Sequence, residues 1–142
     1  MTFDTPTADE YALVFDSWAK SYRKSPFAGT VPNHLWDQVS RETAKSLLDR
    51  GATVIVAVTP IAGRESEYPG VRRVMGYSVS EPGRRILHWL FVKRDYRGVG
   101  VGRAILSATC PDGGWTYSHR TRASTKFLGP GYKWDPVTAR VK

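Results

Sequence analysis

Three glycines at alternate positions, Gly98, Gly100 and Gly102, separate a strand-like segment ending at Val92 from a helix-like segment beginning at Val101. This junction constrains the fold more than any other feature, because a strand must pass directly into a helix through the glycine turn. Glycine lets the backbone approach a ligand closely, and the N–H groups and the dipole at a helix start favour negative charge. The turn is therefore predicted to bind a phosphate group.

Two arginines, Arg97 and Arg103, flank the turn and add positive charge. A merely tight connection is the alternative interpretation, since glycine-rich turns are common. A dinucleotide-binding turn would require an acidic residue about 20 positions further on, and a P-loop would require Gly-Lys-Ser or Gly-Lys-Thr. Neither pattern is present.

Hydrophobic spacing predicts the remaining elements. Two early helices are predicted near 8–24 and 33–50, with Asn33 as the cap of the second. Three strands follow, with Glu81-Pro82-Gly83 as the turn between the last two; they are predicted at 52–59, 71–80 and 84–92. After the glycine turn, the predicted elements are a helix at 101–108, a strand at 115–121, a short helix at 122–128 and an irregular strand at 132–141. Together these predict an α+β fold with a central mixed, mostly antiparallel sheet and helices on both faces.

The composition indicates a packed globular chain, with 41% hydrophobic and 24% charged residues, and the 142 residues suit a single domain over 1–142. Cys110 is the one cysteine, and with three scattered histidines it forms no zinc-ligand spacing. We therefore expect a cytoplasmic protein without a metal. No signal peptide or bilayer-spanning segment is recognisable, so no membrane partner is expected.

The net charge of +8 is unevenly distributed. Residues 1–83 contain nine basic and ten acidic residues, whereas residues 84–142 contain twelve and three. The second part of the chain is therefore predicted to carry an anion-binding surface, although a basic surface can also serve solubility alone.

Arg97, Gly100 and Gly102 match the pyrophosphate loop of the GNAT superfamily of N-acyltransferases, in which Arg or Gln is followed by two residues, Gly, one residue, and Gly or Ala. Residues 84–110 therefore resemble that superfamily, and the order of helices and strands is similar to its GNAT-like fold. The resemblance implies acetyl-CoA or another acyl-CoA as co-substrate, an amine as acceptor, and direct transfer without a covalent enzyme intermediate. It implies that the pantetheine arm and the pyrophosphate contact the backbone of Leu90, Phe91, Val92, Gly98, Val99, Gly100, Val101, Gly102 and Arg103.

Four residues are candidates for catalysis. Tyr117, Ser118 and His119 fall where the resemblance implies that two strands separate to admit the thioester, and each is alternatively an ordinary polar residue at a strand end. His88 is the one titratable ring in the strand ending at Val92, and an ordinary pKa near 6.5 suits a base. A hydrogen-bonded structural role is the alternative for His88.

The chain departs from the family near its end. Many members have a tyrosine that protonates the leaving thiolate, where this chain has Phe127. Tyr132, Tyr117, Ser118 or solvent would then supply the proton. A non-catalytic module that binds CoA or nucleic acid is the rival prediction. Cys110 is not expected to be a nucleophile, because no activating basic residue is placed beside it in the sequence.

The acceptor class has two clues. The charge of residues 84–142 exceeds what one CoA requires, so the alternative acceptor is a nucleic acid or a nucleotide. The protein would then resemble the phage-type GNAT-like proteins that modify DNA bases. Trp18, Tyr22 and Trp36 on the early helices are expected in the core or a lid, and the resemblance implies that this region also covers the acceptor.

Overall fold

The computed structural model describes residues 1–24, 32–61, 71–120 and 122–135. These ranges contain one six-stranded sheet whose strands are neighbours in chain order. The strands are β1 (Thr2–Asp4), β2 (Thr53–Pro60), β3 (Arg72–Glu81), β4 (Ile86–Val92), β5 (Thr116–Tyr117) and β6 (Lys133–Trp134). The first four pair antiparallel, and β4, β5 and β6 pair parallel. The predicted α+β class with a mixed, mostly antiparallel sheet is confirmed.

The helices are α1 (Ala8–Arg23), α2 (Asn33–Asp49), α3 (Val101–Thr109) and α4 (Arg122–Phe127). A capping box begins α1, because the Thr7 hydroxyl accepts from the Glu10 N–H at 3.3 Å and the Glu10 carboxylate accepts from the Thr7 N–H at 2.9 Å. The prediction that Asn33 caps α2 is wrong. The Pro32 carbonyl already accepts the Trp36 N–H at 2.9 Å, so the helix starts at Asn33 with Pro32 as its cap.

The predicted placement of helices on both faces is confirmed by two core clusters. On one face, Val14 and Trp18 of α1 and Leu47 of α2 pack on the sheet. On the other face, Val101 and Ile105 of α3 pack on the sheet. Burial of these apolar side chains ties the glycine turn and α3 to the centre of the sheet. None of the helices in the described ranges is long and apolar enough to cross a membrane.

Two parts of the sheet differ from the sequence prediction. β1 was not predicted. Its three exposed residues form a strand by pairing with β2, and the local sequence has no pattern that indicates this pairing. The strand predicted at 115–121 is limited to Thr116–Tyr117, since each neighbour pairs with it at only two positions. The last strand is described only at Lys133–Trp134, and residues 136–141 of the prediction lie outside the described ranges.

The turn between β3 and β4 also differs. Glu81 is the last residue of β3 and pairs with Ile86 rather than belonging to the turn. The turn itself is a short 3₁₀ segment, Pro82–Arg84, followed by Arg85 in the left-handed region at φ 53°. Tertiary contacts account for the position of Glu81 in the strand, because this residue is buried and its carboxylate is hydrogen-bonded to His88 of β4.

Candidate active site

A cleft opens where β4 and β5 separate. β5 pairs with β4 only at Ile86 and Leu87, whereas β4 continues to Val92. The cleft encloses about 680 Å³, which lies within the range of small-molecule sites. Twelve of the fourteen predicted site residues line it, and Val99 and Ser118 do not. Ten of the twelve are His88, Leu90, Phe91, Val92, Arg97, Gly98, Gly100, Val101, Gly102 and Arg103. Tyr117 and His119 also line it. The residues predicted from the glycine turn and from β4 therefore lie around one cavity.

The glycine turn has the geometry of a helix start with a backbone open to a ligand. Gly98 and Gly100 have φ values of 80° and 90°, a region that favours glycine, and Gly100 is the cap of α3. The first N–H groups of a helix have no partner within it, so those following Gly100 are suited to an anion. Val99, between these two glycines, is 76% exposed. The local sequence was sufficient to predict this feature.

The flanking arginines are held at the cleft by aromatic rings. The Arg97 guanidinium lies 5.5 Å from the Phe91 ring centroid, and its Nε donates to the Val92 carbonyl oxygen at 2.8 Å. The Arg103 guanidinium lies 5.5 Å from the centroid of the Phe127 ring. Both arginines line the cleft, so positive charge stands on each side of the glycine turn.

A second cavity, of about 660 Å³, lies between the two early helices and the sheet. Its walls include Trp18, Tyr22 and Trp36, with the Tyr22 and Trp36 rings stacked at 6.0 Å between centroids. Trp18 is also part of the core, so the core and pocket interpretations of this residue both hold. His88 and His119 line this cavity as well as the first cleft. The two cavities therefore meet at the two histidines.

A hydrogen-bonded chain of four side chains runs through this meeting point. Glu81 Oε1 lies 2.8 Å from His88 Nε2, and His88 Nδ1 lies 2.6 Å from Ser118 Oγ. Ser118 Oγ lies 2.7 Å from His119 Nδ1. Glu81, His88 and Ser118 are each at most 5% exposed, whereas His119 is partly exposed. Ser118 is thus not an ordinary polar residue at an exposed strand end, and His88 is hydrogen-bonded on both ring nitrogens.

Glu81 is the polar residue that the sequence reasoning missed. Its carboxylate also accepts from Arg50 at 2.5 Å and from Arg84 at 3.3 Å. Burial raises the pKa of the Glu81 carboxyl, but the hydrogen bonds from His88 and Arg50 outweigh that effect, so the pKa is lowered overall. A glutamate before Pro-Gly is typical of a turn, so the local sequence gave no signal that Glu81 is buried beside His88.

The His88 ring is held neutral. Burial lowers its pKa below the ordinary 6.5, and this effect exceeds the opposing effect of Glu81; Arg50 and Arg84 lower it further. The free energy of unfolding therefore contains its full contribution from His88 above pH 6.5, where the ring is neutral in both the folded and the unfolded chain. That contribution is lost as the pH falls from 6.5 towards the lower pKa of the folded state, because the unfolded chain takes up the proton first.

We expect the free energy of unfolding to decrease between pH 7 and pH 5.5 by up to about 1.4 kcal/mol per pH unit for this one group. Urea unfolding at several pH values measures the slope. The His88→Gln variant should have a shallower slope than the wild type, and the His34→Gln variant, changed at an exposed histidine of α2, should not. Equal slopes for wild type and His88→Gln would contradict the expectation.

The candidate proton donors are separated by the structure. Both Tyr117 and Tyr132 pack against the core cluster that contains Leu87, Trp115 and Leu128, but Tyr117 also lines the cleft. Of the two tyrosines, Tyr117 is the one at the cleft. Cys110 is buried in the same core cluster; burial, with a smaller effect of Asp112, raises the pKa of its thiol to about 12. A thiol with that pKa is a poor nucleophile at neutral pH.

Part of the positive charge of residues 84–142 is neutralised within the fold. Arg84 pairs with Glu81, and Arg85 pairs with Asp112 while its guanidinium also donates to the Gly113 carbonyl at 2.8 Å. Within the described ranges, no group of three or more His, Cys, Asp or Glu side chains is placed to hold a metal ion.

No protein-family model matches the chain, and no curated protein matches its sequence. Among solved structures, the chain is similar to yncA of Salmonella typhimurium, which is provisionally assigned as an acetyltransferase and was solved with its cofactor acetyl-CoA. The identity is 19% and the TM-score is 0.46. The match covers 77% of this chain and 60% of that one. At this identity and score the similarity assigns no function to the chain.

Proposed function

We propose that the protein is an acyltransferase that moves an acetyl or another acyl group from acyl-CoA to an amine. The observation that supports this most directly is the meeting of two cavities at His88 and His119. One cavity begins at an anion-binding turn and the other has aromatic walls, so two different substrates can approach one another at a pair of titratable rings.

The acyl-CoA is assigned to the cleft between β4 and α3. The N–H groups at the start of α3 suit the pyrophosphate, and Arg97 and Arg103 add charge at its two sides. The backbone of residues 90–92 lines the same cleft and suits the amide-containing pantetheine arm. The thioester would then lie towards His88 and His119, at the end of the cleft that adjoins the second cavity.

The acceptor amine is assigned to the second cavity. Trp18, Tyr22 and Trp36 form the aromatic part of its wall, and His119 lies between these rings and the cleft. An amine bound there would be held close to the thioester, which converts a reaction between two molecules into one between groups already aligned.

The transfer needs no enzyme-bound acyl group. The amine nitrogen attacks the thioester carbonyl carbon, the carbon–sulfur bond breaks, and the proton of the amine passes to His119. The CoA thiolate leaves with the bonding electron pair and takes a proton from Tyr117 or from water, both of which suit the cleft position. This division of roles makes His119 the proposed base and Tyr117 the proposed acid.

The exposed position of Val99 allows a sharp test of the CoA assignment. We expect Val99→Glu to weaken acetyl-CoA binding at least about tenfold, because a carboxylate would stand beside the pyrophosphate at the turn while the 76% exposed side chain leaves the fold intact. Isothermal titration calorimetry with acetyl-CoA gives the dissociation constant.

The matched control is Val71→Glu, which adds the same charge at an exposed valine just before β3. It should bind acetyl-CoA as the wild type does. Equal weakening in both variants would show a general charge effect, and no binding by the wild type would refute the proposed function.

A further inference from the structure

We propose that Glu81, His88 and Ser118 form a relay of positioning residues that fixes the tautomer of His119, so that His119 Nε2 is the nitrogen that accepts a proton. This inference rests on the proposed function for its catalytic meaning. The hydrogen-bond order in the relay is a property of the folded chain and can be tested without any substrate.

The first link begins at Glu81, at the end of β3. Arg50 and Arg84 hold its carboxylate ionised, and an ionised carboxylate can only accept hydrogen bonds. The 2.8 Å contact with His88 therefore requires the hydrogen on His88 Nε2. A neutral imidazole carries one hydrogen, so His88 Nδ1 must present a lone pair.

The second link passes through Ser118. His88 Nδ1 lies 2.6 Å from Ser118 Oγ, and because Nδ1 has only a lone pair there, the hydroxyl donates its one hydrogen to it. The same oxygen lies 2.7 Å from His119 Nδ1. With its hydrogen already used, Ser118 Oγ can only accept, so His119 Nδ1 carries the hydrogen.

The relay therefore determines which ring nitrogen of His119 carries the hydrogen. With the hydrogen on Nδ1, the lone pair of the neutral ring is on Nε2, which is the atom that takes up the proton of the amine. The protonated ring then donates to Ser118 through a charge-assisted bond from Nδ1, which is stronger than the neutral one. The relay thus favours the protonated product of the proton transfer without taking a proton itself.

The orientation of the His119 ring is set by aromatic neighbours from α1. The centroids of Trp18 and Tyr22 lie 5.0 Å and 4.9 Å from that of His119, with interplanar angles of 75° and 80°. Among the residues that the structure describes, the charged or titratable groups in contact with the relay include Glu81 of β3, His88 of β4, Arg50 after α2, Arg84 of the 3₁₀ turn and Tyr22 of α1. Only Glu81 among them is anionic, and it stands at the end of the relay opposite to His119.

The alternative is a polar cluster that only joins β3, β4 and the segment after β5. Replacing a residue of such a cluster would lower the free energy of unfolding and leave the tautomer of His119 unchanged. A relay that sets a tautomer also changes which nitrogen of His119 carries the hydrogen, so the position of that hydrogen distinguishes the two explanations.

The experiment is nitrogen-15 NMR of the imidazole rings, which is tractable because the chain has three histidines. The signals are assigned with His34→Gln and His88→Gln. In the neutral wild type we expect His88 as the Nε2–H form and His119 as the Nδ1–H form. During acidification, His119 should retain the Nδ1 hydrogen and gain one at Nε2.

Two variants interrupt the relay at different places. Ser118→Ala removes the middle oxygen and Glu81→Gln replaces the obligatory acceptor, so each should reduce the population of the Nδ1–H form of His119. Ser107→Ala, at an exposed serine of α3, should leave it unchanged. If one variant does not fold, as judged by circular dichroism, the other still decides.

An Nε2–H form of His119 in the wild type, or an unchanged Nδ1–H form in the folded relay variants, would overturn the proposal. Thiol release from acetyl-CoA, with 2-phenylethylamine as the acceptor probe, adds a kinetic arm. Ser118→Ala should lower kcat at least about tenfold without raising the KM for acetyl-CoA. Failure of acetyl-CoA to bind the wild type would refute the proposed function, whereas the NMR result would still decide the order of hydrogen bonds.

Discussion

Replacing His119 by alanine is expected to lower the rate of acyl transfer by a factor of about 10² to 10⁴, the usual contribution of a positioned general base. His119 lies where the cleft and the aromatic cavity meet, and its Nδ1 contacts Ser118 at 2.7 Å. The loss should appear in kcat, because the turn assigned to the pyrophosphate is not altered. Thiol release from acetyl-CoA with 2-phenylethylamine measures kcat, and calorimetry measures acetyl-CoA binding.

Two controls separate this effect from a packing defect. His119→Gln keeps a polar side chain of similar size among Trp18 and Tyr22, and it should be as inactive as His119→Ala. His34→Ala removes an exposed histidine of α2 and should have the wild-type rate. A rate within about twofold of wild type for both His119 variants would exclude this residue as the base.

Gly76→Ala is expected to lower the free energy of unfolding by about 3 kcal/mol, at the upper end of what overpacking costs. A Cβ at this position would lie 2.5 Å from the Phe91 carbonyl oxygen and 2.8 Å from Ile105 Cδ1. The Ile105 side chain can move, but the Phe91 oxygen is backbone, so β3 and β4 must shift relative to one another. Urea unfolding measures the loss, which corresponds to a fall in Tm of about 10 °C for a chain of this size.

The matched control is Gly83→Ala in the turn after β3. An added methyl group there would meet no described atom within 4 Å, and we expect a change within about 0.5 kcal/mol. Because Phe91 lines the cleft, Gly76→Ala should also weaken acetyl-CoA binding, and Gly83→Ala should not. A loss below about 1 kcal/mol for Gly76→Ala would show that the strands adjust easily.

The glycine turn could be predicted from sequence because its signal is local. Gly98 and Gly100 adopt left-handed backbone angles that glycine favours, and the adjoining helix starts within three residues of Gly98. The longer helices and strands were predicted for a similar reason, since their apolar spacing repeats over several turns or pairs. Elements of two or three residues, such as β1 and β5, carry no such repeat.

The prediction that Glu81 belongs to a turn shows where local reasoning ends. Pro-Gly after a glutamate is typical turn chemistry, and only the pairing of β3 with β4 shows that Glu81 extends the strand and is buried beside His88. A buried carboxylate needs partners, and its partners Arg50 and His88 are 31 and 7 positions away. Long-range contacts of this kind are not visible in a local pattern.

The sequence by itself determined the fold class, the main helices and strands, and the glycine turn with its flanking arginines, because each depends on backbone preferences and apolar spacing within a short segment. Only the tertiary structure decided that the cleft and the aromatic cavity meet at His88 and His119, that Ser118 connects the two histidines and that Glu81 is the partner of His88. Those contacts join residues from different strands, and they exist because packing of the helices on the sheet buries polar groups that must then find partners in one another.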